Sequence, residues 1–224
     1  MTKIVAISDM HGQLPQHQTI PDSDILLIAG DICCHGRAKE QLNWLDGRFR
    51  WWLEKLNRPV FACAGNHDWV FYEKSEDARK LGLPWTYLQD ESANFDGLKI
   101  YGTPWQKEFF NWAYNLTEHE LTGKWNLIPS DTDILICHSP PKFYGDLTLD
   151  GNFIGSESLT WRIEQMPHLK LVAFGHNHQG YGEYKIANGI SGAILANVSV
   201  LNDDYRLVNK PYFVEIVKNY EKEI

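Results

Sequence analysis

Eight short apolar runs recur along this chain, and five of them lead directly, or through a single glycine, into an Asp, Asn or His. The runs are Ile4–Ser8, Ile25–Ala29, Val60–Ala64, Leu98–Gly102, Ile134–Cys137, Leu169–Phe174, Ile194–Ser199 and Tyr212–Val217. Each is too short for a core helix and is bounded by Gly, Pro or Asp, the pattern of buried strands. Between the second and third, Lys39–Leu56 places Leu42, Leu45, Phe49, Trp52, Leu53 and Leu56 on one helical face. Thr160–Met166 and Glu73–Leu81 predict shorter helices, and Thr117 with Glu120 forms a capping-box pattern opening another. Strands alternate with helices early and crowd together late. This predicts an α/β domain with hairpins or meanders towards its end, and the 224 residues fit one domain spanning 1–224.

The polar ends of the runs carry the chemistry. They are Ser8-Asp9-Met10-His11-Gly12, Gly30-Asp31, Gly65-Asn66-His67-Asp68, Cys137-His138 and Gly175-His176-Asn177-His178. In open α/β sheets the crevice beyond the carboxyl ends of the strands is where ligands bind. Five of the nine histidines fall in these segments. Two carboxylates, an amide oxygen and several imidazoles suit manganese, iron, zinc or nickel better than calcium. Spacings of two in Asp9-x-His11 and His176-x-His178 predict pairs on one side of a strand end. Gly12, Gly30, Gly65 and Gly175 allow tight turns and close backbone approach.

Other features narrow the classes. The net charge of −8 and the lack of a basic stripe disfavour nucleic acid as a partner. No stretch approaches the roughly 20 apolar residues of a membrane span. The apolar start Ile4–Ile7 is too short for a signal-peptide core, so a cytoplasmic protein is expected. Cys33, Cys34, Cys63 and Cys137 form no CxxC, and free buried thiols are the expectation. The tail Lys218–Ile224 is charged and expected to fray.

The ordered series D-x-H, GD, GNHD, H, GHxH resembles the calcineurin-like metallophosphoesterases, with every block present from Asp9 to His178. Gly102-Thr103-Pro104-Trp105, His138-Ser139-Pro140-Pro141, Gly175–Gly182, and Asp204-Tyr205-Arg206 followed by Asn209-Lys210-Pro211 resemble the small members related to class III cyclic nucleotide phosphodiesterases. The resemblance implies a four-layer α/β/β/α sandwich and two divalent transition-metal ions, manganese foremost. Asp9, His11 and His178 would hold the first, Asn66, His138 and His176 the second, and Asp31 would bridge them. It further implies hydrolysis of a phosphodiester, such as a 2′,3′- or 3′,5′-cyclic nucleotide, by in-line attack of a metal-bridging hydroxide.

His67 resembles the family's non-ligand histidine, which could donate a proton to the leaving oxygen, and Asp68 could fix its tautomer. His35, Arg37 and Asn177 are candidates for substrate contact, beside Asn66 and His67. Trp105 reads first as a core aromatic and second as a base-stacking residue, and the late Asp204-Tyr205-Arg206 as structural. The expected partner is a small phosphorylated substrate, nucleotide-like, with a homodimer left open. A phosphomonoesterase, a phosphoprotein phosphatase, a non-catalytic binding module and a single structural zinc site are the competing readings.

Overall fold

The computed structural model describes residues 1–186 and 189–217, so the tail Lys218–Ile224 lies outside the described residues. All eight apolar runs form strands. The first sheet takes β1 (Thr2–Ile7), β2 (Ile25–Ala29), β3 (Val60–Cys63) and β4 (Thr86–Tyr87), which pair in parallel. The second takes β5 (Glu91–Phe95) and β6 (Leu98–Thr103); a two-residue pair, β7 (Gln106–Lys107) and β8 (Asn115–Leu116), stands apart. It continues with β9 (Ile134–Cys137), β10 (Leu171–Phe174), β11 (Gly182–Lys185) and β12 (Ile194–Asn197) in the order β11-β12-β10-β9-β6-β5. The core strands β6, β9, β10 and β12 are parallel, with antiparallel β5 and β11 at the edges. The last strand, β13 (Tyr212–Ile216), returns antiparallel to β1, giving the first sheet the order β13-β1-β2-β3-β4.

Side-chain alternation builds the layers. Along β1, Ile4 and Ala6 pack into the core shared with Ile100, Ile136, Leu171 and Ala173 of the second sheet. Val5 and Ile7 face the other way, onto Leu45, Phe49, Trp52 and Phe71 of the flanking helices. Along β9, Ile134 and Ile136 face between the sheets, while Leu135 and Cys137 pack on Leu121, Trp125, Leu159 and Ile163. The result is helix, sheet, sheet, helix, as the resemblance implied. Each fully buried aliphatic side chain contributes about 1.5–3 kcal/mol of transfer free energy. Continuous burial of β2, β3, β9 and β10 on both faces explains why they lack alternation in sequence.

The helices depart from expectation in detail. The amphipathic segment is α1 (Ala38–Trp44) and α2 (Arg50–Glu54) joined by a π turn, Leu45–Phe49. The expected Glu73–Leu81 is two helices, α3 (Trp69–Glu73) and α4 (Ser75–Lys80), broken at Lys74, whose φ of −134° is not helical. Thr117 caps α5 (Glu118–Trp125): its Oγ1 accepts from the Glu120 N–H, and Glu120 reaches back to the Thr117 N–H at 2.9 Å. The last helix, α6 (Glu157–Glu164), starts three residues before the expected Thr160 because Ser156 caps it, accepting from the Leu159 N–H. Trp125 donates to the same Ser156 hydroxyl at 2.9 Å, tying α5 to α6. The four cysteines are free thiols. Among the described residues no helix is long and apolar enough to cross a membrane.

Parallel pairing brings the carboxyl ends of β1, β2, β3, β9 and β10 to one edge of the sandwich. There Ser8, just past β1, pairs in parallel with Ser199, just past β12, and the two sheets meet in a seam.

Candidate metal centre

The five polar segments converge at that seam. Their backbone is strained: Asp9, His11, Asp31 and His176 have φ of 53°, 44°, 49° and 70°, in the left-handed region that non-glycine residues avoid. This corrects the expectation that Asp9 with His11, and His176 with His178, lie along a strand end at period two. Sharp turns after β1 and β10 aim them instead, and His178 begins a short 3-10 turn. Gly175 permits the approach: a Cβ there would overlap the Asp9 carboxylate and the Ser8 hydroxyl.

Two donor groups share one carboxylate. In the first, His178 Nε2 lies 3.5 Å from Asp9 Oδ1 and 3.3 Å from His11 Nε2. In the second, Asn66 Oδ1 lies 2.8 Å from His138 Nε2 and 3.0 Å from His176 Nδ1. Asp31 Oδ2 stands between them, 3.5 Å from His11 Nε2 and 3.4 Å from His138 Nε2. All seven residues are brought together.

The surroundings fix which atoms are bare. His138 Nδ1 donates to the Ala29 carbonyl at 2.9 Å and His178 Nδ1 to the Asn202 carbonyl at 3.1 Å. Each leaves Nε2 as a lone pair facing oxygens, an arrangement that needs a proton or a metal cation to hold it. Ser8 and Ser199 hydroxyls both donate to Asp9 Oδ2 at 2.6 Å, leaving Oδ1 turned to His178. The donor set thus fits divalent metal ions.

Without cations, charge takes their place. Burial opposes ionisation of Asp9, but the hydrogen bond and charge of His178 outweigh it and hold the carboxyl below its usual range. Burial likewise opposes charge on Asp31, and His138 and His67 hold that carboxyl well below normal. His138 is pushed up to about 9, its burial outweighed by the charge of Asp31, and His178 to about 9, its burial outweighed by its bond to Asp9. Burial pushes His11 down to about 4 and His176 down to about 3. In metal-stripped protein at pH 7.5 His138 and His178 would therefore each carry a proton that an incoming metal ion must displace. Adding manganese to metal-stripped protein in weak buffer at pH 7.5 should release about two protons. Apparent affinity should rise with pH and level off above about 9, where both imidazoles are already neutral. Proton release near zero at pH 7.5 would refute this account.

Other expected site residues divide. His67 is partly exposed in the cleft, its Nε2 4.0 Å from Asp31 Oδ2 and its ring 4.0 Å from that of Trp112. Asp68 does not serve as its tautomer-fixing partner: its carboxylate accepts from the backbone N–H groups of Ile32, Cys33 and Gly65 at 2.7–3.1 Å. It clamps the Asp31 turn to the Asn66 turn, and burial and the charge of Asp31 push it up to about 6. His35 lines the cleft, exposed, its ring 5.9 Å from that of His11. Asn177 lines it too, but its amide donates to the carbonyls of Gly145 and Leu147 at 2.9 and 3.1 Å, so its donors hold a loop rather than a substrate. Arg37 caps α1 and is not among the lining residues. Trp105 is a packing residue, bonded to Asp90 at 2.8 Å and stacked under Lys124.

Two of the cleft residues that escaped sequence reasoning pack directly on the candidate histidines. Trp112 lies in the aromatic-rich loop between β7 and β8, which has neither helix nor strand periodicity to show which of its rings meets the cleft. Tyr205, read as structural, packs its ring 4.9 Å from His11, 5.5 Å from His178 and 5.4 Å from His35. The Asp204-Tyr205-Arg206 block, one of those carrying the family resemblance, was its signal.

With the geometry in hand, comparison with known proteins decides the family. The family model described as calcineurin-like phosphoesterase matches residues 2–180, a span holding every residue of the cluster.

The chain belongs to the calcineurin-like phosphoesterase family. It is 31% identical over 96% of its length to human metallophosphoesterase domain-containing protein 1, covering 71% of that protein. It is 28% identical over 96% of its length to the UPF0046 protein T07D4.2 of Caenorhabditis elegans, and spans only 60% of that relative. A dimetal phosphatase structure from Danio rerio superposes with a TM-score of 0.53 at 11% identity, covering 88% of this chain and 86% of that one. This last likeness concerns the fold.

Proposed function

We propose that this chain is a dinuclear metal-dependent hydrolase acting on a phosphodiester, with a 2′,3′- or 3′,5′-cyclic nucleotide as one candidate substrate. The single observation that carries the reading is that bare imidazole nitrogens and carboxylate oxygens from five separated loops face one another around Asp31. Asp9, His11 and His178 would hold one ion, Asn66, His138 and His176 the other, and Asp31 both. Manganese fits this oxygen and nitrogen set, as would iron, zinc or nickel. When bound, such ions supply positive charge against an anionic ester and lower the pKa of water from about 15.7 to about 7. Seven donors exceed the four of a structural zinc.

The chain's own residues do the rest. Without metals Asp9 and Asp31 are offset only by protonated His178 and His138, which leaves no surplus positive charge for an anion, so a strict metal requirement is expected. His67 faces the cleft and can give a proton to the departing oxygen. Asp68 holds the two turns that carry Asp31 and His67 in register. A cleft of about 820 Å³ is far larger than a phosphate group requires, which favours an ester with a sizeable organic group. The −8 charge leaves nucleic acid a poor partner. Free thiols fit the cytoplasm. Pairing of β13 with β1 supports one domain.

The direct test is a panel of cyclic and linear nucleotides, an aryl phosphodiester and an aryl phosphomonoester, each with manganese, iron, zinc or nickel. Turnover of diesters above monoesters supports the reading, monoester preference points to the phosphatase alternative, and no turnover with any ion points to a binding module. His67→Ala should keep its metals and lose roughly 100- to 10,000-fold in rate. The loss should be largest for poor leaving groups; equal loss for good and poor ones would exclude proton donation.

A further inference from the structure

Two apolar loops flank the cleft, and the metal cluster explains neither. One carries Phe109, Phe110 and Trp112, the other Leu149 and Phe153, and all five line the same cleft as His11, Asn66 and His176. Phe110 is 79% exposed and Leu149 84%. Large apolar side chains held in water beside a polar site mark a binding surface.

Both loops are fixed in place by specific contacts. Phe110 has a φ of 51°, a strained state for a bulky residue. Asn115 fixes it there, donating to the carbonyls of Phe109 and Phe110 at 3.0 and 2.9 Å, and is itself held by Gln106 at 2.8 Å. Across the cleft, Phe143 has a φ of 76° and packs against Phe153 at 5.1 Å. Asn177, between the two histidines of the last segment, donates to Gly145 and Leu147, coupling this loop to the cluster. Ordering before binding lowers the entropy cost of binding. The ionisable rim is acidic: Glu108, Asp150 and Asp203 line the cleft against Lys107. A second phosphate on the substrate would meet those carboxylates.

We infer that the two loops are a preformed jaw for the non-leaving organic group of a singly charged phosphodiester, an aryl or alkyl group rather than a further phosphorylated one. This rests on the phosphodiesterase reading above and names the substrate class of that site.

The test uses diesters that share a p-nitrophenyl leaving group and differ in the second alcohol: methyl, phenyl, octyl, and a phenyl group bearing an extra phosphate. Burying an aromatic or hydrocarbon group should raise kcat/KM for the phenyl or octyl ester at least about tenfold over the methyl ester. Phenyl above octyl assigns the jaw to planar groups, and octyl above phenyl to hydrocarbon chains. The extra phosphate should lower kcat/KM below that of the plain phenyl ester. In Phe110→Ala and Leu149→Ala, both at exposed positions, the bulky-to-methyl ratio should fall towards one. Equal rates for all diesters in the wild type, or an unchanged ratio in both variants, would overturn the jaw while leaving the phosphodiesterase reading intact. No hydrolysis of any diester with any metal would overturn the reading beneath it.

Discussion

Replacing Asp31 with Ala should abolish turnover and lower the metal content of the purified protein from the two ions proposed above to one or none. The carboxylate stands between the two donor groups, within 3.5 Å of His11 Nε2 and 3.4 Å of His138 Nε2. Its other oxygen accepts from the His67 N–H at 2.8 Å, so the same side chain seats the Asn66 turn. Loss of one cation's contribution, several kcal/mol of charge stabilisation, corresponds to at least about a thousandfold in rate. Asp31→Asn separates the two jobs: it can keep the bond to His67 while removing the charge. Elemental analysis and aryl-diester hydrolysis of both variants check the assignment. Normal activity in Asp31→Ala would refute the shared-carboxylate assignment, and full metal content in Asp31→Asn would show that charge at this position is dispensable.

All eight runs became strands: they are unbroken and apolar where both faces are buried, as in β2, β3, β9 and β10, whereas half-exposed β13 was legible from its β-forming Tyr212, Phe213, Val214 and Ile216. The two-residue β4, β7 and β8 carry no pattern long enough to read, and β5 and β11 are half-exposed edge strands rich in polar residues. The start of α6 was hidden by its cap: Ser156 announces it, whereas the apolar spacing begins later. For the site, residue type and order marked the donors. Their aim was not legible, because it depends on left-handed turns at Asp9, His11, Asp31 and His176 rather than on strand periodicity. Partners distant in sequence were equally hidden. Ser199 bonds Asp9 across 190 positions, and Asn202 orients His178 through a backbone carbonyl that no side-chain pattern reports. Asp68 was misread because it adjoins His67 in sequence, while its carboxylate turns inward to three buried N–H groups.

Gly65→Ala should damage stability and the metal site together. A Cβ at this position would overlap the backbone nitrogen and carboxylate of Asp31 and come within 2.8 Å of His138 Cε1. The obstruction is backbone on one side and a fully buried ring on the other, so neither neighbour can swing aside. Gly65 has no positive φ, so the effect is purely steric. Overpacking of this kind costs about 1–3 kcal/mol. In a chain of this size that lowers Tm by roughly 2–12 °C. Relief can come only by moving the Asp31 turn, which would also separate its carboxylate from His11 and His138. Metal content and turnover should fall with Tm, and excess manganese should recover little of either. Gly123→Ala is the internal contrast. Gly123 lies exposed within α5 with nothing within 4 Å of the added Cβ, and the change should stabilise the helix by up to about 1 kcal/mol with normal metal binding. Thermal melts of both variants, with and without metal, distinguish the two. Wild-type Tm and full metal content in Gly65→Ala would mean that the Asp31 turn has room that this packing denies it.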